Sequence, residues 1–122
     1  MSVSETAVAR YFEAWNAKGA ENIAKAVAAA WTEDGSYTDP LAEVVGQEGV
    51  AAVIAGAQGQ FPGYEFRQTG AVDAHHGIAR FAWELVSLAD GSAPVAGSDV
   101  IALADDGRIR TVHGFLDRVP AV

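Results

Sequence analysis

Three side chains in this sequence stand in patterns that could do chemistry. The first is Asp99, in the run Val-Ala-Gly-Ser-Asp-Val-Ile-Ala-Leu (95–103). Side chains alternate across a strand, so Asp99 shares a face with Ile101 and Leu103. If that face is the interior, the charged form is costly and the acid is pushed toward neutrality. A neutral carboxylic acid can donate a hydrogen bond, which a carboxylate cannot. The second is Asp39, in Tyr-Thr-Asp-Pro (37–40), a carboxylate at a strand end because Pro40 cannot donate to a ladder. Held near a cavity mouth, it is a base of the kind that abstracts a proton next to a carbonyl. The third is Tyr11, on an apolar helical stripe. Each also has a plainer reading. Asp39 can cap a turn, Tyr11 can be a core tyrosine with a satisfied hydroxyl, and Asp99 can be a strand acid paired with Arg80, Arg110 or a histidine.

Other groupings point away from chemistry. His75-His76 beside Asp73 falls in a hairpin turn, and adjacent strand residues face opposite ways, which disfavours a shared metal. Asp105-Asp106-Gly107 is a turn with no further oxygen ligands at calcium-loop spacing. Glu65, between Tyr64 and Phe66, is expected to face outward, and His113 to lie on the sheet face away from any cavity. The formal charge of −8 and the absence of a basic run exclude nucleic acid as a partner. There is no cysteine to form a disulfide, thiolate site or nucleophile. Neither a long apolar run nor a basic-then-apolar leader appears, so the expectation is a cytoplasmic protein with no membrane partner. A chain of 122 residues is expected to form one domain, 1–122.

Several elements must position these groups. Ser2 and Glu5 have capping-box spacing, and Val8, Tyr11, Phe12 and Trp15 follow at i, i+3, i+4 and i+7 on one helical face. A second helix is expected over 21–31, a turn at 32–35, a short strand at 36–39 and a third helix over roughly 47–60. Four strands follow, near 64–72, 77–88, 95–104 and 108–119, with turns at 73–76, 90–92 and 105–107. Short links imply an antiparallel meander. Asp106-Gly107 marks the last hairpin, and the parity change between Ile109 and Val112 predicts a bulge near Arg110. The fold class is α+β: three helices covering one face of a curved antiparallel sheet.

This order resembles the cone-shaped fold of nuclear transport factor 2, and within it the SnoaL-like polyketide cyclases and the Δ5-3-ketosteroid isomerases. Arg-Tyr-Phe-Glu-Ala-Trp-Asn (10–16), Tyr-Thr-Asp-Pro (37–40), Gly-Ser-Asp-Val (97–100) and Asp-Gly-Arg-Ile (106–109) carry the resemblance, which spans about Val8 to Leu116. It implies that Asp39 shuttles a proton between two carbons, while Tyr11 and a protonated Asp99 hold the enolate oxygen; this division of labour is a known pattern for such isomerases. Gly97-Ser98 stand where the isomerases carry bulkier residues, which bears on substrate size more than on chemistry. No metal or other cofactor is implied. Trp15, Phe81, Trp83, Val112 and Leu116 are the expected walls of a pocket for a small hydrophobic molecule.

Two further readings compete with an isomerase or cyclase. One is epoxide hydrolysis or ring opening, in which one acid activates water and another protonates oxygen. The other is a non-catalytic ligand-binding or dimerisation module, whose cavity would be plugged by Trp15 and Trp83 or hold a ligand passively. In all three, His113, Phe115 and Asp117 share an outer sheet face too apolar at Phe115 to stay solvated, which predicts a homodimer.

Overall fold

Helix formation begins where the sequence places its cap. In the computed structural model, which describes residues 2–120, Ser2 Oγ accepts from Glu5 N and Glu5 Oε1 accepts from Ser2 N, both at 3.1 Å. That reciprocal pair starts α1 (Val3–Asn16), and Val8, Tyr11 and Trp15 are buried along its inner stripe. A left-handed glycine, Gly19, turns the chain into α2 (Ala20–Ala30), whose Ile23, Val27 and Ala30 face the core. Then come β1 (Trp31–Thr38), β2 (Glu43–Val45) and α3 (Gln47–Gln60), followed by β3 (Tyr64–His75), β4 (Ile78–Ser87), β5 (Val95–Leu103) and β6 (Ile109–Arg118).

The six strands form one sheet in the order β2-β1-β6-β5-β4-β3. From β3 to β6 it is the expected antiparallel meander. It becomes mixed at its other side, where β1 runs parallel to β6. The bulge expected near Arg110 is present: Ala102 pairs with Thr111 but Leu103 with Ile109, so Arg110 is the extra residue. The turn expected at 32–35 is instead an irregularity inside β1. Trp31 pairs with Ile109 and Ser36 with Thr111, so four residues bulge out between them. Gly35 is required there, because a Cβ on it would meet Trp31 Cδ1 at 2.8 Å. The first hairpin turn is also tighter than expected, with β3 continuing to His75 and only His76-Gly77 turning, both at positive φ.

The helices cover the inner sheet face, where Phe81 and Leu85 are buried. Arg80, Ala82 and Glu84 alternate to the other side, as their pattern required. Among the described residues, no helix is long and apolar enough to cross a membrane.

Candidate active site

A cavity of about 570 Å³ remains between the helices and the sheet. Its size lies within the range of small-molecule sites. Aromatic walls come from α1 (Phe12, Trp15) and from the sheet (Phe66, Trp83); Val53 and Ala57 of α3 close another side. Tyr11, Tyr37 and Asp39 supply most of its polarity. Trp15 and Trp83 form walls and do not plug the space.

Asp39 follows directly on β1. Its Oδ1 accepts from the backbone N–H groups of Leu41 and Ala42, both at 2.8 Å, while its own N–H donates to Ala42 O at 2.9 Å. This is the turn-capping role, yet Asp39 also stands on the cavity wall. The two readings coexist because they use different oxygens. Oδ2 takes no backbone donor and accepts instead from the Tyr37 hydroxyl at 2.7 Å.

Tyr37 is a site residue that the sequence reading missed. It lies two residues before Asp39, so alternation along β1 brings both side chains to one face. That spacing was a usable signal. Tyr37 is buried, packs against Trp15 with ring centroids 5.5 Å apart, and lines the cavity. Burial, then the hydrogen bond to Asp39 and the charge of that acid, push its hydroxyl pKa well up. Tyr37 therefore stays a proton donor.

Asp99 is 2% exposed, in mid-strand on β5. Neither Arg80 nor Arg110 pairs with it; Arg80 bonds Asp73 on the neighbouring strand. Its recorded partner is the Tyr11 hydroxyl, which donates to Oδ2 at 2.9 Å. Burial pushes the carboxyl up to about 7, against the pull of hydrogen bonds from Tyr11 and Trp83, while the charges of Asp39 and Asp117 act with burial. Tyr11 is driven upward too, by burial first and then by the charge of Asp99.

Two glycines allow this crowding. Gly114 pairs with Asp99 across the β5–β6 ladder. A Cβ there would lie 2.6 Å from Asp99 Oδ1 and 3.3 Å from Asp39 Cβ, so both acids approach one bare stretch of backbone. Gly97, opposite Trp83, leaves room for the indole ring, which a Cβ would overlap.

Of the expected site residues, Tyr11, Asp39, Trp15, Trp83 and Leu116 line the cavity. Phe81 and Val112 do not: they are core residues, at 3% and 0% exposure, and Phe81 packs against Tyr11 from behind. An apolar residue on the inner face suits core and wall equally, so the sequence could not separate them. Asp99 also stands off the wall and reaches the cavity through Tyr11. Glu65 is bonded to Arg67 and is not a wall residue. His113 is exposed. Among the described residues no group of three His, Cys, Asp or Glu side chains could hold a metal ion.

Comparison with known proteins fits this arrangement. The model of the SnoaL-like domain matches residues 8–112. A crystal structure of a SnoaL-like family protein from Agrobacterium tumefaciens, named as a candidate isomerase, shares 42% identity and superposes with a TM-score of 0.89 over 96% of this chain and 99% of that one. A SnoaL-like protein from Jannaschia sp., named as a candidate polyketide cyclase, shares 20% identity over 94% and 85% of the two chains, with a TM-score of 0.76. An NTF2-like protein of unknown function from Cytophaga hutchinsonii shares the fold at 15% identity, with a TM-score of 0.65 over 93% and 89%. No functionally curated protein matches the sequence. With its three helices on a curved mixed sheet, the chain belongs to the SnoaL-like domain family.

Proposed function

We propose that this protein is a general acid–base enzyme of the isomerase or cyclase type, acting without a cofactor on a small apolar carbonyl compound. The observation that carries the reading is the pairing of Asp39 with a Tyr11–Asp99 unit around one apolar cavity. Asp39 Oδ2 takes a proton from the carbon next to the carbonyl, and Tyr11 donates to the oxygen where charge collects. Asp99 acts from behind. As the neutral acid it gives its own proton to the 2.9 Å contact with Tyr11, which frees the tyrosine O–H to face the substrate. As a carboxylate it would claim that O–H for itself. Tyr11 from α1, Trp83 from β4, Asp117 on β6 and Asp39 after β1 are the groups that set its protonation. A positioned base supplies roughly 10²–10⁴-fold, and one oxyanion donor about 2.7–4 kcal/mol.

Ring opening of an epoxide needs two acids on the cavity wall. Asp39 is the one acid lining it among the described residues, which favours proton transfer. The test is exchange of the α-hydrogens of 2-tetralone for deuterium in D₂O, followed by NMR. The wild type should accelerate exchange and Asp39→Asn should not; a wild-type rate equal to the variant's would reject the reading.

The enzyme is further proposed to be a cytoplasmic homodimer, paired through the outer sheet face, where Phe115 is 60% and Val100 37% exposed among Ala82, Ser98 and Thr111. Light scattering at micromolar concentration should return twice 12.7 kDa. A monomer mass would refute it.

A further inference from the structure

Two buried side-chain donors have no hydrogen-bond partner among the described residues: Trp15 Nε1 and Trp31 Nε1. A buried N–H without an acceptor costs stability, so its presence calls for an explanation. The two indoles differ in place. Trp31 is 0% exposed and stands off the cavity, whereas Trp15 lines it. Even so, the Trp15 nitrogen is closed to solvent, so a molecule in the cavity does not reach it. The group it acts on is Tyr11. The two residues are one helical turn apart on α1, with ring centroids 6.1 Å apart and planes at 50°. Burial and the charge of Asp99 drive the Tyr11 hydroxyl pKa up, and the Trp15 N–H pulls it back. Tyr37 packs against the indole as well, at 5.5 Å, but its hydroxyl donates to Asp39.

We infer that Trp15 is a positioning residue for the proposed reaction: its indole N–H donates to the Tyr11 oxygen when Tyr11 commits its own O–H to a bound carbonyl. This rests on the reading above for one step only, that Tyr11 is the donor to the substrate oxygen. Hydrogen bonds in a reacting site are often long before the ligand arrives and tighten once it is bound. The tightening has a cause here. In the free protein the Tyr11 O–H leans on Asp99 at 2.9 Å. When that O–H turns to a carbonyl on which charge is growing, the Tyr11 oxygen takes up part of the charge and becomes a better acceptor. Asp99, as the neutral acid, then donates to that oxygen, and the Trp15 N–H donates beside it. With both donors in place, the direction left for the Tyr11 proton is the cavity. Among the described residues lining the cavity there is no Lys, Arg or His, so neutral donors must spread the charge. An N–H that is idle at rest and bonded only as charge develops favours the transition state over the ground state.

The experiment replaces Trp15 in the full chain by 3-benzothienylalanine, which keeps the bicyclic shape and puts sulfur where the N–H stood. The kcat for α-hydrogen exchange of 2-tetralone should fall roughly tenfold, with KM unchanged and the thermal midpoint equal or higher. The same replacement at Trp31 should leave kcat as it was. A lower midpoint with unchanged kcat would make the Trp15 N–H structural and overturn the inference. A second measurement needs no turnover. The indole N–H signals of the ¹⁵N-tryptophan-labelled chain are followed by NMR as 2-decalone, a ketone without an aromatic ring, is added. The Trp15 signal should move downfield while that of Trp31 stays, and the movement should vanish in Tyr11→Phe. A Trp15 signal that does not move, or that moves equally in Tyr11→Phe, would overturn the inference. The expected movement without any exchange activity would uphold the Trp15–Tyr11 bond and reject the catalytic reading. Exchange with the same kcat in the presence and absence of the N–H would do the reverse.

Discussion

Asp39 and Asp99 both approach Gly114, yet their surroundings are opposite. Asp39 is half-buried at a strand end and receives three donors: two backbone N–H groups and the Tyr37 hydroxyl. Asp99 is fully buried in mid-strand and has no cationic partner to offset its desolvation. Backbone donors suit a carboxylate, and desolvation suits a neutral acid. Neighbourhood alone thus separates the two acids, and the proposed acid–base division of labour rests on that difference.

The comparison breaks most sharply at Asp39. Asp39→Asn keeps Oδ1 for the two turn bonds but removes the basic lone pair. Proton abstraction should fall by roughly 10²–10⁴-fold with an unchanged thermal midpoint. A variant with wild-type turnover would leave Asp39 as a turn cap only.

The next largest effect concerns Asp99 and pH. Its raised pKa means that the folded chain retains a proton which the unfolded chain has already released. The stability this brings is complete below the unfolded value near 3.9 and is lost as pH rises through about 7. At 1.36 kcal/mol per pKa unit, the full loss is about 4 kcal/mol. Asp99→Asn cannot titrate, so urea unfolding at pH 4 and pH 8 should show the wild type losing more stability than the variant, by most of that amount. The variant should also lose any alkaline fall in exchange rate near pH 7. If NMR instead shows Asp99 ionising below pH 4, the two acids are alike and the contrast fails.

Gly114→Ala attacks both acids together. The added methyl must displace Asp99 Oδ1, and overpacking of this kind costs about 1–3 kcal/mol. Denaturant unfolding measures it, and an unchanged midpoint would mean that the acids do not crowd this backbone. Tyr37→Phe is the mildest change. It removes one donor from Asp39 Oδ2, a bond to a charged group, and should slow exchange roughly tenfold or more. In the Asp39→Asn background the same change should add little, because coupled residues are not additive.

What could be read from the sequence follows the range of the interactions. The capping box, the α1 stripe and the last hairpin with its bulge are local patterns, and each was legible. Thr32-Glu33-Asp34-Gly35 carried a true signal of irregular backbone, but only pairing with distant β6 makes it a strand bulge instead of a turn. Three-residue β2 is too short for any periodicity to declare it. At the site, residue types on the expected faces pointed to Asp39, Tyr11 and Asp99. That Asp99 and its cross-strand neighbour Phe81 lie against Tyr11 in the core, while Trp83 and Leu85 on the same face of β4 form walls, depends on position along the strand relative to the helices, which alternation does not encode.

The proposed base is held within a hexapeptide. Tyr37, Asp39, Leu41 and Ala42 supply every hydrogen bond that orients the Asp39 side chain, all within residues 37–42. The far walls are contributed by α3 and by strands β3 to β6, and among the described residues none of these elements hydrogen-bonds that carboxylate. Residues such as Val53, Ala57 and Leu85 can therefore be exchanged to reshape the cavity while the reacting oxygen keeps its place. Under the proposed function, cavity shape and the geometry of Asp39 are separately heritable in this chain. For an engineer, the library belongs on α3 and β4, with residues 37–42 left untouched.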